Sequence, residues 1–237
     1  ESGATCLMVD CGFGQRETIR RLARLGRLPE QINGILVTHE HGDHVGGVFP
    51  FARRNKIPVW LSYGTFAACE TAAAGVDVRI IDGHAAFGVG ALEIQPYPVP
   101  HDAREPLQFV FASGKRRLGL LTDAGEITRH IRDMLSGIDG LVLECNHDAD
   151  MLAASDYPPS LRRRIGGRFG HLENSAAADL LRDIDVSRLQ HLVAAHLSER
   201  NNHPALAVSA LATALGCAAE RIGVACQEAG FDWRQVD

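Results

Sequence analysis

The sequence predicts an α/β protein, and three observations carry the prediction. Short apolar runs of strand length alternate with segments of helical periodicity. Gly or Pro marks most of the boundaries between them. His, Asp and Glu recur directly after apolar runs, where open α/β sheets place their sites. At 237 residues the chain can bury a sizeable core. One domain over 1–237 is the simpler expectation, ahead of a looser two-part layout in which each half is strands followed by a helix.

The elements follow in order. Thr5 to Val9 reads as a strand ending in Asp10-Cys11-Gly12. Arg16 to Leu25 carries Ile19, Leu22, Ala23 and Leu25 as an amphipathic helix, closed by Gly26 with Pro29 beyond. Ile35 to Val37 is a buried strand, and Val45 to Phe51 opens a helix. Val59-Trp60-Leu61 is a strand, and Thr65 to Ala74 is an alanine-rich helix ended by Gly75. The rhythm then shortens, with Val78 to Ile81, Ala91 to Pro96 and Gln108 to Phe111 as strands joined by turns. Leu118 to Leu121 is a strand ending in Thr122-Asp123, Ile127 to Leu135 is helical, and Gly140 to Leu143 is a strand ending in Glu144. Ser175 to Ile184 and Pro204 to Leu215 are helices flanking a strand at His191 to Ala195. Arg221 to Ala225 is a last strand.

Composition excludes several classes. The chain is 46% hydrophobic and 22% charged, which is ordinary for a globular protein. A net charge of -5 means the surface as a whole does not attract nucleic acid, so any such site must be a local basic patch. The 6 cysteines are scattered without a CxxC pair, which argues against a thiolate zinc site and a disulfide scaffold. Reduced thiols in a reducing compartment are the simplest reading, so a cytoplasmic location is expected. No signal peptide is visible, and no apolar run approaches the ~18 residues of a membrane span, so no membrane association is expected. Glu1-Ser2-Gly3 leads at once into a strand, consistent with a missing preceding strand.

The chemistry concentrates in Thr38-His39-Glu40-His41-Gly42-Asp43-His44, which follows the apolar run Gly34-Ile35-Leu36-Val37. A loop at a strand end can fold several side chains onto one point. His39 and His41 can share one metal, while Asp43 and His44 can turn back to a second. Three further residues stand at later strand ends: His101 after Val99, Asp123 after Leu121, and His196 after Ala195. Together these make five His and two Asp, and an Asp such as Asp123 has two oxygens with which to bridge two metals.

The HxHxDH motif, followed by a separate His, Asp and His at later strand ends, resembles the metallo-β-lactamase superfamily over nearly the whole chain. The resemblance implies a four-layered αββα sandwich with a dinuclear site at one edge. His39, His41 and His101 would hold one metal; Asp43, His44 and His196 would hold the other; Asp123 would bridge them. Asp123 looks like the hydrolases and phosphodiesterases, because β-lactamases of this fold often carry Cys at that position. A flavodiiron protein would have Glu in place of His41, and a β-CASP nuclease would need a whole domain between Asp123 and His196. Pro100-His101-Asp102-Ala103-Arg104-Glu105-Pro106, Glu144-Cys145-Asn146-His147-Asp148, Gly170-His171-Leu172-Glu173-Asn174 and Ala195 to Asn202 are similar to the YycJ/WalJ group. That group comprises small bacterial phosphodiesterase-like proteins associated with DNA 5′-exonuclease activity. Its usual Gly-Ser-Gly-Asn start is not visible, as a clipped N-terminus would leave it.

Roles follow from this reading. Asp43 is a ligand and also orients the attacking hydroxide or acts as its base; a pure ligand fits equally. Glu144 and His171 resemble the Glu–His pair of tRNase Z-like members, His171 protonating the leaving oxygen and Glu144 orienting it. Otherwise Glu144 caps a strand and His171 precedes a helix. Asp10 accepts a hydrogen bond from a ligand histidine or fills a turn before Gly12. His147 binds substrate, reaches the metals, or is an ordinary loop histidine. Arg162, Arg163, Arg164 and Arg168 form either a patch for phosphate oxygens or a solvated basic loop. The expected function is a two-metal hydrolase, with zinc first and manganese or iron otherwise. It acts as a phosphodiesterase on nucleic acid, 5′-exonuclease-like. The alternative is a small-molecule ester or thioester hydrolase, lactonase- or glyoxalase II-like. Such an enzyme shares the ligands but does not require the arginines or the Glu144/His171 pair.

Overall fold

The computed structural model describes all 237 residues. The chain divides into two compact units, Glu1–Pro98 with Ala103–Ser113, and Val99–Asp102 with Gly114–Asp237.

The first unit contains β1 (Leu7–Val9), α1 (Gln15–Arg24), β2 (Gly34–Leu36), α2 (Gly42–Val45), α3 (Val48–Asn55), β3 (Val59–Ser62) and α4 (Tyr63–Ala73). It continues with β4 (Val78–Ile81), β5 (Phe87–Val89), β6 (Leu92–Pro98) and β7 (Leu107–Ser113). β1 to β4 form a parallel sheet in sequence order. β5, β6 and β7 form an antiparallel meander. Side chains alternate across a strand, and here both faces are covered, so the parallel strands read as continuous apolar runs. Ile35, Val37, Val59 and Leu61 pack with Phe49, Phe51 and Ala52 of α3. Leu36 and Trp60, on the opposite face, pack with Leu92, Ile94, Leu107 and Phe109 of the meander. The unit is therefore helices, sheet and second sheet in three layers. Each fully buried Phe51, Leu61 or Phe109 contributes roughly 1.5–3 kcal/mol of hydrophobic stabilisation.

The second unit contains β8 (Arg116–Leu121), α5 (Arg129–Leu135), β9 (Gly140–Glu144), α6 (Ala149–Ala154), α7 (Pro159–Ile165), α8 (Asn174–Asp183), β10 (His191–Ala195), α9 (Pro204–Leu215) and β11 (Ile222–Val224). β8, β9, β10 and β11 are parallel in that order. α8 packs on α9 and β9, and α9 packs on β11. α8 buries Ala177, Ala178, Leu180 and Leu181; α9 buries Ala207, Leu211 and Ala212. Their small residues allow close approach of helix to helix.

Four elements were not anticipated. α2 is a single turn inside the histidine loop. β5 is three residues long with Gly88 at its centre, too short to show a period. α6 starts where the Asp148 carboxylate accepts the Met151 N–H at 3.0 Å. α7 starts at Pro159, whose fixed φ suits a first helical position, and it buries no residue. With Arg162, Arg163 and Arg164 in succession and no buried face, it has no apolar period to read.

Parallel strands release their loops at one edge. In the first unit that edge carries Asp10 after β1 and the histidine loop after β2. In the second it carries Asp123 after β8, Glu144 at the end of β9 and His196 after β10. Three of these residues turn the chain through left-handed backbone: Asp10 (φ 55), Asp123 (φ 51) and His196 (φ 57). Non-glycine residues adopt this region at a cost, and such positions cluster at functional sites. No helix is long and apolar enough to cross a membrane.

Candidate metal centre

In the first unit the donors stand on the loop after β2 and on α2. The His39 ring centroid lies 4.5 Å from that of His41 and 4.1 Å from that of His44. Asp10 orders the group. Its Oδ1 accepts the Thr38 N–H at 2.8 Å, and its Oδ2 accepts the Thr38 hydroxyl at 2.8 Å. The same Oδ2 lies 2.8 Å from His44 Nδ1, while the Thr38 hydroxyl lies 3.0 Å from His39 Nδ1. An imidazole whose Nδ1 donates to an anchored acceptor presents Nε2 as its donor to a metal. Asp43 Oδ2 is 3.5 Å from His44 Nε2, on a side chain that is 72% exposed.

Backbone packing shapes this loop. The Cys11 N–H donates to the His44 carbonyl at 2.8 Å, and the Gly47 N–H donates to the Cys11 carbonyl at 2.7 Å. A Cβ on Gly12 would sit 1.8 Å from the Asp43 carbonyl oxygen, so only glycine lets the segment after β1 lie on the histidine loop.

In the second unit Glu144 is the hub. Its Oε1 lies 2.9 Å from His171 Nδ1 and 2.9 Å from His196 Nδ1, and its Oε2 accepts the Ala124 N–H at 2.9 Å. Both oxygens of Glu144 are thus engaged by protein hydrogen bonds. Burial pushes its carboxyl up, but the hydrogen bonds from His171 and His196 outweigh that and hold it down to about 2. His101 Nδ1 lies 2.9 Å from the Gly170 carbonyl, which turns Nε2 toward Asp123. Asp123 Oδ1 is 3.8 Å from His101 Nε2 and 3.7 Å from His196 Nε2. The same oxygen is 3.5 Å from His171 Nδ1, so one carboxylate oxygen faces three imidazoles. Burial pushes His101 below its ordinary value against the pull of Asp123. The neutral imidazole this favours is the form a metal requires. The donor atoms of Asp123, Glu144, His171 and His196 all lie within 4.8 Å of one another. Anchored imidazoles and carboxylates without a thiolate fit a zinc, manganese or iron ion.

The remaining candidates are placed differently. His147 is 2% exposed, and burial pushes its imidazole down, so it is an interior residue rather than one on an open loop. Arg162, Arg163 and Arg164 lie on α7, with Arg168 just beyond it. Arg164 pairs with Asp102 at 2.6 Å, and Arg168 pairs with Glu126 at 2.7 Å. Two of the four positive charges therefore have a carboxylate beside them, and the patch is weaker than its sequence implies.

Some positioning groups were missed. Thr38 and the Gly170 carbonyl each hold a histidine, yet neither is a residue type that announces a site. Asn174 and Asn202 exchange two hydrogen bonds of 2.9 Å, and Asn202 Nδ2 also donates to the Cys145 carbonyl at 2.7 Å. This pair ties the starts of α8 and α9 to the residue after Glu144. Both asparagines lie in the segments that carry the resemblance, but only the fold brings them together.

A family profile described as "Beta-lactamase superfamily domain" matches residues 5–196. The chain is 34% identical over 207 residues to Exodeoxyribonuclease YycJ of Bacillus anthracis, covering 85% of this chain and 77% of that protein. It is 30% identical over 229 residues to Exodeoxyribonuclease WalJ of Streptococcus pneumoniae, covering 94% and 85%. Among solved structures, the metallo-β-lactamase fold protein YhfI from Bacillus subtilis superposes with a TM-score of 0.74 at 16% identity, covering 98% of this chain and 88% of that one. The chain belongs to the metallo-β-lactamase superfamily, in the group of YycJ and WalJ. The αββα fold class expected from the sequence is the one it has.

Proposed function

We propose that the chain is a dinuclear-metal phosphodiesterase that degrades DNA from an end, 5′-exonuclease-like. One observation carries the reading: a single buried oxygen, Glu144 Oε1, holds both His171 and His196 at 2.9 Å. One of these histidines is a metal ligand in the reading and the other a proton donor, so one carboxylate sets both. We place one metal on His39, His41 and His101, the second on Asp43, His44 and His196, and Asp123 between them. Bound there, two divalent ions would lower the pKa of a water toward neutrality and would neutralise the phosphodiester oxygens. Zinc suits the donors first, manganese or iron otherwise.

The chain's own groups do the rest. Asp43 reaches solvent beside His44 and orients the attacking oxygen. His171, whose side chain is 24% exposed, gives a proton from Nε2 to the departing sugar oxygen while Glu144 holds Nδ1. The printed names of the YycJ and WalJ relatives support DNA as the substrate. All six cysteines are free thiols, which fits a reducing, cytoplasmic setting. The pairing of Arg164 and Arg168 with carboxylates favours a second reading, a lactonase- or glyoxalase II-like hydrolase of small esters or thioesters.

The test uses metal-loaded protein on end-labelled DNA and RNA, on bis(p-nitrophenyl) phosphate, and on lactone and thioester substrates. DNA cleavage is expected, and removal of metal by a chelator abolishes it. His171→Ala is expected to lose about 10²–10⁴-fold on DNA but little on p-nitrophenolate, which leaves without a proton. Equal loss on both removes the proton-donor role. A fully metallated protein inert to every phosphodiester but active on thioesters would hand the site to the second reading.

A further inference from the structure

Helix α7 buries no residue, yet its C-terminal end is locked onto the site histidines of the second unit. The His171 N–H donates to the Ile165 carbonyl at 2.8 Å, and the Gly170 N–H donates to the Gly167 carbonyl at 2.9 Å. A Cβ on Gly170 would lie 2.2 Å from the Arg164 carbonyl oxygen and 2.1 Å from that of Ile165, so the two segments touch. Gly170 is the residue whose carbonyl holds His101. Beside it, the Asp102 N–H donates to the Phe169 carbonyl at 3.0 Å. Arg164 is therefore mounted on the corner formed by His101, Gly170 and His171.

Its side chain returns to the same corner. Arg164 Nε donates to Asp102 Oδ2 at 2.6 Å, and Asp102 Oδ1 lies 3.5 Å from His101 Nε2, the nitrogen that faces Asp123. One carboxylate thus reaches from the guanidinium to the edge of a proposed ligand. Arg168 is held differently. It meets Glu126 through Nε and Nη2 together, one on each oxygen, and so commits its fork to the protein. Arg164 gives Asp102 a single N–H. A guanidinium has five such donors. Those on the two terminal nitrogens of Arg164 have no protein partner, and the side chain is 62% exposed. The pairing lowers the net charge of the patch but fixes where that charge points.

We propose that Arg164, aimed by Asp102, grips a backbone phosphate of the substrate next to the scissile one. The proposal rests on the nuclease reading for its substrate but is tested by binding. A phosphate presents two oxygens that match the guanidinium fork, so the contact positions the strand without reading its sequence. Two consequences separate an aimed clamp from a general positive field. Arg164 should sense one linkage of the strand and no other. Loss of the Asp102 charge should weaken DNA binding, although removing a carboxylate from a surface that meets a polyanion would, by charge alone, strengthen it.

The experiment measures binding of a fluorescently labelled DNA duplex to chelator-treated protein by anisotropy over a salt series. A second set of duplexes carries one neutral methylphosphonate linkage, moved stepwise from the end. The native protein is expected to lose about tenfold in affinity when one particular linkage is neutral. Arg164→Gln should bind the charged duplex about tenfold more weakly, lower the salt slope by about 1, and no longer sense that linkage. Arg164→Lys should keep the salt slope but recover only part of the affinity, because an ammonium is a point charge without the fork. Asp102→Asn should bind more weakly than the native protein. The proposal is overturned if Arg164→Gln binds as the native protein does, if it still loses tenfold at the same linkage, or if Asp102→Asn binds as tightly as the native protein or more so. If the metal-loaded native protein cleaves no DNA but the linkage-specific difference persists, the nuclease reading fails and the clamp stands. If it cleaves DNA and Arg164→Gln matches it in affinity and linkage sensitivity, the clamp fails and the nuclease reading stands.

Discussion

Strand β9 has a buried carboxylate at each end. Asp139 precedes its first residue, Glu144 is its last, and both are fully buried. Each is held below its ordinary range although burial pushes it up. Asp139 is answered by the Arg117 N–H at 2.8 Å and by the guanidinium groups of Arg188 at 2.9 Å and Arg116 at 3.2 Å. Glu144 is answered by two imidazoles. Arginine stays charged and binds no metal, so its partner can only hold structure. Histidine has a second nitrogen for a metal or a transferable proton. Burial and a depressed pKa are common to Asp139 and Glu144; what distinguishes the role proposed for Glu144 is the chemistry of its partners.

The largest expected effect comes from breaking the functional end. Glu144→Gln keeps the shape but removes the charge facing His171 and His196. DNA cleavage should fall by about 10²–10⁴-fold in kcat, the range for losing general acid catalysis. Thermal unfolding should shift far less than that loss implies; an activity loss wholly explained by unfolding would erase the contrast. Asp10→Asn probes the analogous carboxylate of the first unit, which touches His44 but no proposed proton donor. It should weaken metal binding about 10–100-fold, measured by competition with a chromophoric chelator, and the rate should return at saturating metal. A rate that stays low with the site full would show that Asp10 does more than orient.

The structural end should show the smallest effect on chemistry. Asp139→Asn is expected to leave kcat per folded molecule within about twofold and to cost about 1.5–3 kcal/mol of stability, as hydrogen bonds to charged groups do. Its pH dependence has a definite sign. The folded-state value lies below the ordinary 3.8, so the stabilisation is complete above pH 3.8 and is lost as pH falls through the lower folded value. The stability gap between native protein and Asp139→Asn, read from urea midpoints, should be flat at neutral pH and close in acid. A gap that widened on acidification would reverse the assignment.

This contrast also explains what could be read in the sequence. His39, His41, Asp43 and His44 lie within one short loop segment, so their density alone points to a site. Asp123 and His196 stand out because each follows an apolar run that ends a parallel strand, whereas His101 follows β6, a strand antiparallel to both its neighbours, and only its apolar run points to it. Asp139 was invisible because its arginines lie at positions 116 and 188, brought to it by strand register. Glu144 stood out by its strand-end place, but its grip on two histidines at once depends on β9 and β10 being neighbours. Strand and helix limits were legible where an apolar period existed, as in β4, β10 and α9. They failed in α7, which buries nothing. Pairing is not written in sequence at all, and that is why Arg164 and Arg168 read alike there, although one donates from a single nitrogen and the other from two.

The left-handed turns at Asp10, Asp123 and His196 carry a further consequence. At each, glycine would sit more comfortably in the backbone than the residue present. A chain optimised only for folding would drift toward glycine at all three and lose a carboxylate or an imidazole each time. Thermostability and turnover therefore pull against each other at these positions. An engineered variant of this protein with a raised melting temperature and silent chemistry should be examined there first.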